Sequence, residues 1–121
     1  MILAGAAQVK NSNAVMGNKI MESYNKLVRD KIPKILDDKG ISYEQRIASP
    51  EEYREELVKK LEEEIDEFLE SGGSIEELTD VIEVVEALKK LPEYKEVEEL
   101  RKKKREERGG FDEKIILKGE K

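Results

Sequence analysis

Hydrophobic and polar positions follow a helical rhythm over most of residues 50–108. In EEYREELVKKLEEEIDEFLE, residues 51–70, apolar side chains recur at Leu57, Leu61, Ile65 and Phe68, with Val58 and Leu69 at the edge of the stripe. Glu62, Asp66 and Glu70 stand opposite at i, i+4 spacing, the mark of a solvated face. Glu64 breaks the rule. It projects roughly 60° from Leu61, between the directions of Leu57 and Tyr53, and Glu67 lies one step further round the same side. Both acids are therefore aimed toward the packing surface.

The pattern of residues 75–89 predicts a second helix. Leu78, Val81, Ile82, Val85 and Leu88 form its main apolar stripe, and Glu76, Thr79, Glu83 and Glu86 its water-facing side. Glu77 and Asp80 belong to neither; they share a side with Val84, Ala87 and Leu88. An antiparallel turn through Ser71, Gly72 and Gly73 brings Glu64, Glu67, Glu77 and Asp80 together. Four half-buried carboxylates repel unless their pKa values rise or a cation neutralises them. An all-oxygen donor set of this kind suits Mg²⁺ or Mn²⁺. Plainer readings exist for each pair: Ser74 with Glu77 is also a capping box, and Glu64 with Glu67 fits ion pairing at a stripe edge.

Local signals mark the remaining elements. Ser49-Pro50-Glu51-Glu52 combines an N-cap, a proline at the first helical position and a capping-box Glu at the third. Upstream, Asp30 is the expected N-cap of a short helix with Pro33 in its first turn, Ile32, Ile35 and Leu36 inward, and Gly40 closing it. Alternation of Ile41, Tyr43, Gln45 and Ile47 predicts a strand over residues 41–48, pairing with a second over residues 111–118 that carries Ile115, Ile116 and Leu117. The second long helix is expected to stop before Pro92, which opens another with Tyr94, Val97 and Leu100 inward, ending at Gly109-Gly110. The fold class is therefore mainly all-α, an antiparallel helical bundle with a short strand pair.

Residues 1–23 differ in character. Their apolar run ends at Lys10 without a basic start, too short for a bilayer span or a secretory h-region. We expect a loosely ordered extension with Met21 as a candidate initiator, a single folded domain over residues 24–121, and a cytoplasmic protein.

Composition narrows the chemistry. The 121 residues are 43% charged and 37% hydrophobic, which leaves a thin core. The second helix is apolar over more than half its circumference, so a homodimer or homotetramer is expected. With no Cys and no His, catalysis must use carboxylates, Lys, Arg, Tyr, Ser or Thr. Charge is segregated: residues 51–100 hold 19 acids and 6 bases, the remainder 10 acids and 17 bases. Basic flanks folding over an acidic centre would offer metal on one side and Lys or Arg on the other, as a polyphosphate requires. Lys102 to Lys104 read as a solvated helix end, whereas Arg105 and Arg108, beside the Gly-Gly turn, are candidates for phosphate contact. Six aromatic residues and a net charge of −6 argue against a nucleic-acid footprint.

Glu63-Glu64-Ile65-Asp66-Glu67 followed by Glu77-Leu78-Thr79-Asp80 resembles the EExxE and ExxD signature of the MazG-like, all-α nucleoside triphosphate pyrophosphohydrolases. Tyr24-Asn25-Lys26-Leu27-Val28-Arg29-Asp30-Lys31-Ile32-Pro33 and Arg108-Gly109-Gly110-Phe111 resemble a small house-cleaning branch of that superfamily. The resemblance covers roughly residues 24–118, with a short gap between the acidic motifs. It implies a Mg²⁺-dependent hydrolase that cleaves a nucleoside triphosphate to monophosphate and pyrophosphate. Glu64, Glu67, Glu77 and Asp80 would hold Mg²⁺ or Mn²⁺, and Glu63 or Glu64 would accept the proton. Lys26, Arg29, Lys31, Lys60, Arg105 and Arg108 would contact phosphates. The competing expectations are a phosphoribosyl-ATP pyrophosphatase-like activity, a metal-dependent nuclease or phosphodiesterase, and a non-enzymatic helical interaction module.

Overall fold

The computed structural model describes residues 25–120. The expected extension over residues 1–23 lies outside them. Four helices are found among the described residues: α1 Ile32–Asp38, α2 Pro50–Glu70, α3 Ile75–Lys89 and α4 Val97–Arg108, with a 3₁₀ turn over Pro92–Tyr94. The chain is mainly helical, and α2 and α3 form the hairpin that carries the core.

The caps explain why the long helices begin where they do. Ser49 Oγ accepts from the Glu52 amide at 3.1 Å, and Pro50 occupies the first turn, where its missing N–H costs nothing. The Glu52 carboxylate does not complete the box in the usual way. Both of its oxygens take Arg46, at 2.6 Å each, which pins the preceding loop to the helix start. At the other end Gly72 and Gly73 adopt φ of +76° and +86°. Their amides donate to the Leu69 and Phe68 carbonyls, a Schellman closure that only glycine enters without strain. Ser74 then caps α3 by accepting from the Glu77 amide at 3.2 Å. The predicted tight junction between the two helices follows from Gly72, Gly73 and Ser74.

Among the described residues Leu57, Val84 and Leu91 are the buried apolar ones, and Leu27, Tyr53, Leu61, Ala87, Leu88 and Tyr94 pack around them. Each of the three contributes about 1.5–3 kcal/mol by leaving water. Glu62, Asp66 and Glu70 are exposed, as their spacing predicts.

The face that α3 turns to α2 differs from the expected one. Val84 is buried, whereas Leu78, Ile82 and Val85 of the predicted main stripe are 40%, 50% and 37% exposed. A helix apolar over more than half its circumference offers two candidate faces, and α2 can cover only one. The covered one is the side shared by Glu77, Asp80, Val84, Ala87 and Leu88.

Three further expectations are corrected. Lys31, not Asp30, occupies the N-cap of α1, because the Ile32 amide already bonds the Arg29 carbonyl and this turn carries the chain past Asp30. No strand forms among the described residues, so residues 41–48 and 111–118 do not pair. Alternation without a partner to receive backbone hydrogen bonds leaves Ile47 at 92% exposure and Ile115, Ile116 and Leu117 open to solvent. The helix expected from Pro92 onward is split: a 3₁₀ turn seats Tyr94 on the core, α4 begins at Val97, and Val97 and Leu100 are exposed rather than inward. Gly40 and Gly109 end α1 and α4 as predicted. Among the described residues no helix is long and apolar enough to cross a membrane.

Candidate metal centre

Carboxylate oxygens of Glu64, Glu67 and Glu77 lie within 4.8 Å of one another. Glu64 and Glu67 come from the last two turns of α2, and Glu77 from the first turn of α3, held there by the Ser74 cap. Glu64 is 7% exposed although it is an acid; its neighbours on the wheel, Leu57 and Leu61, carry it into the hairpin. Burial pushes its carboxyl above the usual range. The Lys60 ammonium opposes this, and the negative charges of Glu67 and Asp80 reinforce it.

Glu77 Oε1 is buried and has no hydrogen-bond partner. An unpaired buried acceptor costs about 1–3 kcal/mol, more when ionised, so the position favours a ligand that supplies positive charge. The donor set fits a hard divalent cation. Two oxygens bound at about 2.0–2.4 Å to one ion stand no more than about 4–4.8 Å apart, which is the spacing these carboxylates already have.

Chain cations surround the acids. Lys60 Nζ lies 3.1 Å from Glu63 Oε1 and 3.4 Å from Glu64 Oε2, while Lys26 donates to Glu63 Oε2 at 3.3 Å. Burial raises the Glu63 carboxyl, but Lys60 and Lys26 together outweigh it and hold the group below the usual carboxylate range. Asp80 is half-buried and stands beside the trio rather than in it; its Oδ1 accepts from the Arg29 guanidinium at 2.6 Å. Three of the four predicted ligands thus meet, and the fourth faces a basic residue.

The predicted phosphate-contacting residues divide into two groups. Lys26, Arg29 and Lys60 reach the acids directly. Lys31 is exposed at the cap of α1, Arg105 is paired with Asp112 at 3.4 Å in the turn after α4, and Arg108 is exposed in the last turn of α4. A cavity of about 310 Å³ opens beside Glu63, lined by Asn25, Lys26, Leu27, Glu56, Lys59 and Lys60. Glu56 and Lys59 were not singled out by sequence reasoning. Glu56 stands i, i+4 from Lys60 and i, i+7 from Glu63, and Lys59 stands i, i+4 from Glu63, which is the signal that could have found them.

No family model matches the chain, and neither a curated protein nor a solved structure matches it.

Proposed function

We propose that the chain is a Mg²⁺-dependent nucleotide pyrophosphohydrolase of the MazG-like kind, cleaving a nucleoside triphosphate to monophosphate and pyrophosphate. The observation that carries this reading is the convergence of Glu64, Glu67 and Glu77 around a buried Glu77 oxygen that has no partner. A divalent ion held by these acids, with Asp80 adjacent, would polarise a phosphate and lower the pKa of bound water.

The chain's own residues supply the rest. Lys26, Lys60 and Arg29 bring three positive charges to the edge of the acids, where they balance charge on the departing pyrophosphate. Glu63, which Lys60 and Lys26 hold below the usual carboxylate range beside the trio, and Glu64, one of the acids that would hold the ion, are the two candidate proton acceptors. The cavity beside Glu63 has room for part of a nucleotide and presents amide, ammonium and carboxylate groups to it. The exposed Leu78, Ile82 and Val85 of α3 support a homodimer or homotetramer in which a second copy covers them.

The test is pyrophosphate release from a panel of triphosphates, with a single-stranded oligonucleotide assayed in parallel. Mg²⁺-dependent release that Glu67→Gln abolishes supports the proposal. Cleavage of the oligonucleotide with the nucleotides intact assigns the same acids to a nuclease. Absence of both leaves the helical interaction module.

A further inference from the structure

The α2–α3 hairpin has two chemically different sides. Leu57 of α2 and Val84 of α3 are buried in one core and mark the line joining the two helices. Glu64, Glu67 and Asp80 are turned to one side of that line. On α2, Val58, Ile65 and Leu69 are rotated roughly 80–120° the other way from Leu57, and on α3, Leu78, Ile82 and Val85 are rotated roughly 100–160° from Val84. Because the helices run antiparallel, these two rotations point to the same side of the hairpin. The result is one apolar face, its side chains between 37% and 67% exposed, on the side away from the acids. Glu55, Glu62 and Asp66, all exposed, run along its α2 edge as an acidic rim.

The segment after α4 carries a second uncovered apolar surface. Phe111, Ile115, Ile116 and Leu117 are 73–96% exposed. The junction that directs this arm is built from specific contacts. A Cβ at Gly110 would strike the Arg105 guanidinium, and Asp112 Oδ2 pairs with the same guanidinium at 3.4 Å. The Lys114 amide donates to the Phe111 carbonyl, with Lys114 itself at φ +60°, a value uncommon outside glycine. So directed, the arm leaves the apolar face of its own chain uncovered.

We propose that residues 111–118 of one copy dock on the apolar hairpin face of a second copy, and that the second copy returns its own arm, giving a two-fold exchanged dimer. This rests on the reading that a second copy covers α3, and names the segment that covers it. Charge favours the arm over face-to-face packing. Two hairpins meeting by the same face would bring two acidic rims together, from stretches that hold 19 acids and 6 bases in residues 51–100. Residues 101–121 hold 9 bases and 5 acids, and Lys114 and Lys118 flank the apolar triplet. The triplet meets the apolar face while the two lysines meet Glu55, Glu62 and Asp66. Since the face lies away from Glu64, Glu67 and Asp80, the acid cluster stays open in the dimer.

Light scattering on the eluting full-length chain tests the exchange. The unmodified chain should have twice the mass of one chain. An arm variant carrying Ile116→Glu and Leu117→Glu, and a face variant carrying Ile82→Glu, should each fall to the mass of one chain, with helicity unchanged because all three positions are exposed. Mixing the two variants should restore a dimer, since the mixed pair keeps one intact arm-on-face junction and neither variant alone keeps any. A dimer that survives the arm substitutions and is lost with Ile82→Glu would overturn the exchange and leave face-to-face packing of two copies. An unmodified chain with the mass of one copy would overturn both the exchange and the reading that a second copy covers α3.

Discussion

The Glu77 amide bonds Ser74 Oγ at 3.2 Å, while the carboxylate of the same Glu77 holds a buried oxygen with no partner. One residue thus closes a helix start through its backbone and leaves its side chain unsatisfied beside Glu64 and Glu67. Capping accounts for the amide. It does not account for the oxygen.

That division predicts the behaviour of two amide variants. Glu77→Gln and Glu64→Gln keep the backbone cap and the helix lengths, and each removes one charge from a repelling group. Without metal they should melt at or above the temperature of the unmodified chain. Mg²⁺ should raise the melting temperature of the unmodified chain and leave both variants unmoved. Thermal melts followed by circular dichroism, with Mg²⁺ and with chelator, check this.

Ser49→Ala and Ser74→Ala should separate stability from metal binding. Each removes the side-chain acceptor of a helix start and should cost about 1 kcal/mol in urea denaturation. Only Ser74 anchors a turn that carries a candidate ligand. Its loss should also weaken Mn²⁺ binding, whereas the Ser49 variant should bind Mn²⁺ as before.

These caps were legible from the sequence because they depend on residues three apart, and so was the inward aim of Glu64, which follows from its angle to Leu57 and Leu61. The choice of face on α3 was not legible. Val84 and the Leu78–Ile82–Val85 stripe are both apolar, and only the partner helix decides which is covered. The ion pair between Arg29 and Asp80 was equally invisible, since no spacing rule links side chains so far apart in the chain. The strand reading failed for a related reason: alternation describes a face, and a strand also needs a neighbour.

Leu57 is 3% exposed at the centre of a core with few members. Leu57→Ala should lower unfolding free energy by about 2–5 kcal/mol. For a domain of ordinary stability, about 5–15 kcal/mol, that is a large fraction. Urea titration should show the midpoint falling sharply.

Acid should loosen the link between α4 and the end of α3. Hydrogen bonds from Arg101 and Lys89 pull Glu98 down to about 2, and Lys89 reaches it from the end of α3 at 2.8 Å. Because the folded value is depressed, the contribution is present above the ordinary carboxylate value near 4.5 and fades as pH falls toward 2. The loss of helicity as pH falls from 5 toward 2 should be smaller in Glu98→Gln, which has no carboxylate to titrate there.

Ile82→Glu should test the open face of α3. If copies of the chain meet there, the variant should elute as a smaller species than the unmodified chain at equal concentration, with light scattering giving the mass.

The unpaired C-terminal segment bears on how the molecule must be handled. Ile115, Ile116 and Leu117 form a sticky β-prone triplet with Lys114 on one side and Lys118 on the other, and these two charges act as gatekeepers against strand-to-strand stacking between molecules. Added electrolyte shortens the reach of such charges to about 10 Å at 0.1 M. Concentrated stocks should therefore stay clear in dilute buffer and turn cloudy as ionic strength rises, the reverse of ordinary salting-in.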